Sequence, residues 1–343
     1  MNGRIFSLSF LVLLGACGPV TQAPTPDGSP GEDSTTPQDT GAPPPDAVLG
    51  DTGAPPADTG APPADGGGME RREVLIPTQM VRPGEEATKC REVRLGNSAG
   101  SLVRRIHVSL PVGSHHLIVY RSRGTTEQPE LTPCRGLSGI LTGTAPIFIA
   151  QQRESEITFP QGVGLTLEAN QMIRLEEHFV NTGTTPLSVT ARVTFDLARA
   201  EGLTRADMMF WGTQTINIPP RSMGTAQYFH AALPAINVFG LTSHTHEYGV
   251  LSTIEVASAL TGPGREVHRS TSWSEPPLTL FNPPLRFGDN EGLRLICRYN
   301  NTSTRTVHFG ESFFEEMCFL WAYYYPSSGF HLCFDGLCRA LPF

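Results

Sequence analysis

The chain has 343 residues, 39% hydrophobic and 17% charged, with a formal net charge of −8. That is enough apolar sequence for one or two folded domains. No Lys/Arg block or basic stripe occurs, so nucleic acid is excluded as an expected partner.

The N-terminus opens with one positive charge at Arg4 and an apolar run over 5–14. The run is too short to span a bilayer as a mature anchor. It ends in LGAC (14–17), which resembles the bacterial lipoprotein cleavage box. The resemblance implies cleavage before Cys17 and lipid on its thiol. An ordinary secretory signal, with Cys17 a stray thiol, is the plainer alternative. Gly18 in place of an Asp points to the outer membrane, on its periplasmic or its surface face. The expected localisation is therefore exported and lipid-anchored, with no membrane contact except through the lipid.

Residues 18–68 are nearly free of large apolar side chains and carry the degenerate repeats DTGAPPPD (39–46), DTGAPPAD (51–58) and TGAPPAD (59–65). Such a segment cannot bury enough surface to offset its ordering entropy. Its prolines favour an extended spacer of roughly 3 Å per residue. With Cys17 set aside, six cysteines remain. In an exported chain an even number reads as a disulfide framework, and six allow fifteen connectivities.

From Met69 onward the period is two. In 187–197 the residues Leu187, Val189, Ala191, Val193, Phe195 and Leu197 share one face, as in a half-buried strand. Further strands are expected at 115–122, 171–181, 250–258 and 292–300. Turn signals separate them at 181–186, 261–264 and 288–292. The expected fold is all-β: two tandem antiparallel β-sandwiches of jelly-roll-like kind, 69–200 and 201–343, divided within 198–207.

Histidines mark three places. His115 and His116 are adjacent, so on an ideal strand they face opposite sides. A bulge or strand end near Gly113 would let them face one ion; otherwise one is buried and the other exposed. His178 lies on a strand of the same half and could add a third nitrogen, with Glu176 as the candidate partner for its ring N–H. His244 and His246 stand at i and i+2, on one side of a strand. Met317, in EEMCFLWAYYYP (315–326), reads in isolation as core packing.

Together these motifs resemble the copper type II, ascorbate-dependent monooxygenases, the family of peptidylglycine α-hydroxylating and dopamine β-monooxygenases. The His-His pair, the single His in Leu-x-x-His, His-Thr-His and Glu-Met-Cys occur in family order between Cys90 and Pro326. The resemblance implies two coppers per chain: His115, His116 and His178 for electron storage, and His244, His246 and Met317 for O₂ chemistry. It implies one site in each sandwich, with substrate in a cleft between them. A soft thioether suits Cu(I), and imidazole serves both copper states. The resemblance also implies Cys90–Cys134 and Cys297–Cys318 disulfides, and leaves Cys333 and Cys338 to close a small loop.

The implied function is hydroxylation of a C–H bond in a small-molecule or peptide substrate, by O₂ and two electrons from ascorbate or another one-electron donor. A monomer is expected. Where peptide-amidating relatives carry an Arg to grip the substrate carboxylate, this chain has Thr242; Phe319 and Trp321 replace a further Asn and Tyr. A peptidylglycine substrate is therefore not expected. Thr242, Phe319, Trp321 and His308 are candidates for the substrate cleft. Glu247 reads either as a tuning group or as an exposed carboxylate, and Tyr323, Tyr324 and Tyr325 as substrate rings or as sheet packing. The alternative function is a non-catalytic surface copper-binding lipoprotein.

Overall fold

The computed structural model describes residues 69–141, 144–199 and 201–341. The expected lipoprotein signal with Cys17 and the expected spacer over 18–68 lie outside the described residues. The fold is all-β, 63% strand and 1% helix. The strands expected from the alternating pattern form at Ser114–Ser122, Met172–Val180, Leu187–Arg199, Gly249–Ala257 and Gly292–Asn301.

An eleven-stranded sheet runs through both halves. Its first part pairs Glu70–Val81, Leu187–Arg199 and Ser101–Ser109 antiparallel. Its second part pairs Thr204–Thr213, Cys318–Tyr325 and Asn237–His244. The join is a short parallel ladder between Val163–Leu167 and Thr204–Thr213. Each part is accompanied by a smaller sheet. One has five strands and contains Glu86–Arg94, Met172–Val180, Ser114–Ser122 and Thr144–Ala150; the other has four and contains Ser222–Ala231, Gly292–Asn301 and Gly249–Ala257.

The aromatic strand Cys318–Tyr325 shows how the halves meet. Cys318, Leu320, Ala322 and Tyr324 face a core of the second half. The alternate residues Phe319, Trp321 and Tyr323 belong to the other core, with Val119, Phe148 and Leu175 of the first half. Both faces of this strand are buried, which is why its sequence is a continuous apolar run. The Tyr323 hydroxyl accepts the Ile149 amide across the join at 3.2 Å. The tyrosine run is thus packing rather than a substrate surface. Burying side chains of this size stabilises the fold by about 1.5–3 kcal/mol each, so the joint between halves is a core in its own right.

All three expected disulfides form: Cys90–Cys134, Cys297–Cys318 and Cys333–Cys338. Among them, Cys297–Cys318 ties the strand before the Met317 loop to the strand after it.

Candidate metal centre

The adjacent pair His115 and His116 sits where the ladder slips. Ser114 pairs with Phe179 and His116 with His178, so His115 is the extra residue of a bulge. Gly113 precedes it at φ 93°, and a Cβ there would lie 2.8 Å from Leu187 Cδ1. The bulge turns both rings towards His178: ring centroids lie 5.0–5.3 Å apart among the three. Their candidate ligand atoms all lie within 4.8 Å of one another.

His244 ends its strand, and His246 lies just beyond it rather than in it. The turn is fastened by Glu316, whose buried carboxylate accepts the backbone N–H groups of His246 at 2.9 Å and Tyr248 at 2.7 Å. It also accepts the amide of Met317 at 3.2 Å. One side chain therefore positions a histidine and the methionine together. Burial nevertheless pushes its carboxyl up to about 8, against those amides.

Hydrogen bonds fix the tautomers. His244 Nδ1 donates to Gln151 Oε1 at 2.6 Å, and His246 Nδ1 donates to the Glu315 carbonyl at 3.1 Å. Each Nε2 is left with a lone pair, and the two face each other at 3.2 Å. Two lone pairs in that position repel unless a cation lies between them. The separation is what two nitrogens show when each is about 2 Å from a shared ion.

The two sets of histidines are not separated by a cleft. His115 lies 5.2 Å from His244 and 5.5 Å from His246 by ring centroid, and it completes a second triad with them. This corrects the expected arrangement of one site per sandwich with substrate between. The halves share a sheet and a core, so their histidine-bearing faces close on each other. His116, His178, His244, His246 and Met317 line one cavity of about 20 Å³. That volume suits one water-sized molecule. Met317 is buried in this histidine-lined space, not remote from it.

The residues fit a soft or borderline metal ion. Burial, reinforced by the neighbouring imidazoles, holds His115, His116 and His244 well below the ordinary histidine range and pushes His246 down to about 4. Neutral imidazoles are the ligand form. Both ring nitrogens of buried His115, and Nδ1 of His116, have no hydrogen-bond partner. Leaving such atoms unpaired costs about 1–3 kcal/mol apiece, and a bound cation removes that cost.

Several expectations about flanking residues change. Glu176 does not serve His178; it is buried, accepts the Leu137 amide at 2.6 Å, and burial raises it to about 7. Glu86 takes the role instead, from the strand beside His178, accepting its Nε2–H at 2.9 Å. Burial opposes the Glu86 charge, but bonds from His178, the Phe313 amide and the Ser312 hydroxyl outweigh it and hold its pKa below the ordinary value. Thr242 is buried and accepts the Gln151 side-chain amide at 3.0 Å. Phe319 and Trp321 stack on Phe210 at 4.4 and 4.2 Å, and only Trp321 lines the cavity. His308 is exposed on the short Val307–His308 strand and does not reach the site, because that strand pairs outward with Asn217–Ile218. Glu247 does not line the cavity either.

Glu86, Gln151 and Glu316 are the residues that sequence reasoning missed. Only Glu316 carried a signal, being a charge at the head of an apolar run. Glu86 and Gln151 are brought in by long-range pairing.

A buried β-protein site that gathers imidazoles and a thioether is a ligand set that suits copper. Comparison with known families narrows this. Residues 204–339 match the family model of the copper type II ascorbate-dependent monooxygenase C-terminal domain. The match takes in His244, His246 and Met317, and it supports that family for this chain. The crystal structure of the major capsid protein P2 from bacteriophage PM2 is similar over 74% of this chain and 97% of its own, at 10% identity and a TM-score of 0.31. At that score the likeness says nothing about function.

Proposed function

We propose that this protein is a copper-dependent monooxygenase that converts R–H, O₂, two electrons and two protons to R–OH and water. The observation that carries the reading is the facing of His244 Nε2 and His246 Nε2 at 3.2 Å, with both Nδ1 atoms engaged elsewhere, in a cavity that Met317 also lines. His244, His246 and Met317 would hold one copper; His115, His116 and His178 would hold a second. Copper bound there supplies one-electron chemistry towards O₂.

The chain's own groups do the rest. Gln151 and the Glu315 carbonyl hold the two rings with Nε2 inward. Glu316 fixes the turn that carries His246 and the backbone of Met317. Phe210 and Trp321 wall the cavity against bulk water. Thr242, spent on Gln151, offers no cation for a carboxylate, so the substrate is not a peptidylglycine. An organic substrate exceeds a cavity of about 20 Å³, so substrate binding requires the halves to part.

That small volume favours a second reading, a copper-binding protein without turnover. X-ray absorption on the reduced, copper-loaded protein, with O₂ uptake under ascorbate, separates the possibilities. The monooxygenase reading expects a sulfur scatterer that disappears in Met317→Ile, together with coupled product formation on a panel of apolar and aromatic substrates. Sulfur ligation without coupled turnover supports the binding protein. No sulfur at copper overturns the assignment of Met317. Glycine-extended peptides should give no product. The lipid anchor is part of the same proposal: radiolabelled fatty acid should enter the wild type and not Cys17→Ser.

A further inference from the structure

The 20 Å³ cavity touches His116, His178, His244 and His246, but His115 also faces a different space. On that side lies a solvent-reaching pocket of about 370 Å³, within the ordinary range for small-ligand sites. Ser114, Arg153, Thr182 and Trp273 line it with His115. We infer that this pocket is a docking site for a small planar organic anion that acts as electron donor, an ene-diolate such as ascorbate, delivering its electron through the His115 ring. The inference rests on the copper reading proposed above and adds to it the place where reductant binds.

Three features argue for this ligand chemistry. Arg153 is exposed at the pocket, and its guanidinium makes no ion pair among the described residues. It is a cation free to meet an anion. The half-buried Trp273 indole lies 5.5 Å from the His115 ring by centroid and offers an aromatic wall to a flat ring. Thr182 brings a hydroxyl to the same pocket, and Ser114, whose hydroxyl proton goes to Glu177, can still accept from a polyhydroxylated ligand. Glu275 also lines the pocket and opposes an anion, so its removal should tighten binding.

The position selects a donor over the substrate to be hydroxylated. The Met317 cavity lies on another side of the histidine cluster, and His115 is the residue the pocket shares with that cluster. A molecule here reaches the site through an imidazole and needs no parting of the halves. The step would balance simply: the ene-diolate would give one electron to the copper(II) that His115 would help to hold, release its remaining hydroxyl proton to solvent and leave as the radical anion.

The test begins with the metal-free full-length protein, titrated anaerobically with ascorbate by calorimetry in the presence of a chelator. Saturable 1:1 binding is expected, weakened about tenfold, the equivalent of 1.4 kcal/mol, in Arg153→Ala and in Trp273→Ala, and strengthened in Glu275→Gln. Circular dichroism verifies that each variant is folded. In the copper-loaded protein, anaerobic loss of the cupric resonance should saturate with ascorbate in the wild type and become linear and slower in Arg153→Ala. Benzoate, a planar anion without reducing power, is the control. Equal or tighter binding of benzoate overturns the donor assignment, and indifference of binding to both substitutions overturns the site. Copper held by the histidines with no ascorbate binding leaves the oxygenase reading standing and removes this inference. Ascorbate binding in a protein that takes up no copper overturns the copper reading, and with it the donor role, leaving only an anion site.

Discussion

Glu86 accepts three hydrogen bonds where the two halves touch: from His178 at 2.9 Å, the Phe313 amide at 2.6 Å and the Ser312 hydroxyl at 3.0 Å. It steadies a candidate ligand of the first half and the loop that leads to Met317 in the second. Glu86→Ala should therefore lower copper affinity by about 10–100-fold, measured by competition with a chelator. It should also cost about 2–4 kcal/mol of stability by leaving buried donors unpaired. Glu86→Gln should keep most of the stability, since an amide oxygen still accepts, while losing the ionic part of the bond to His178. Little of this was visible in the sequence. Histidine spacing is a local signal, so His244 and His246 stood out by themselves, while His115, His116, His178 and Met317 were gathered only by the family resemblance. Glu86 lies 92 residues from His178 in a strand with no distinguishing pattern, and Glu176, two residues from His178 on its own strand, was the natural but mistaken choice. Gln151 was equally hidden, 93 residues from His244.

At the scale of elements, the bulge at His115 decides whether a two-residue motif can act as one clamp. Gly113 sits at φ 93°, a conformation that residues with a side chain rarely adopt, so Gly113→Ala should undo the bulge and separate the rings. The expected outcome is loss of metal binding with retained strand signal in circular dichroism. The bulge was legible as an option because adjacent histidines demand one; that it forms depends on the register with Met172–Val180. On the long sheet, Asp196 links three strands by accepting Arg71 Nε at 2.7 Å and Arg105 at 3.2 Å. The bond from Arg71 leads in holding its carboxyl below the ordinary aspartate range, against burial. A depressed acid contributes stability above its unfolded pKa and loses it as pH falls through the folded value. Asp196→Asn should accordingly melt below the wild type at pH 7, and the gap should close on acidification below the ordinary aspartate value. A gap independent of pH would show that the ionic form contributes nothing.

For the molecule as a whole, the joint between halves governs access. Gln151 reaches from the first half to Thr242, the Ser243 carbonyl and His244 in the second, and Phe210, Trp321 and Tyr323 pack beside it into the shared core. Gln151→Ala should loosen this joint, with faster amide exchange in 237–244 and 144–150 and a lower melting temperature. An all-β architecture was legible from alternation alone. The continuous sheet was not, because the parallel ladder of Thr204–Thr213 on Val163–Leu167 is a non-local pairing with no sequence mark. Its outcome reaches the laboratory bench. A fragment begun at residue 204, tempting because the family match starts there, would strip the cover from Phe319, Trp321 and Tyr323 and bare the backbone rim at residues 204–206 that pairs with Val163–Leu167. Such a piece should precipitate or light up an apolar dye, and its histidines would report on a sticky surface instead of a buried ligand cage.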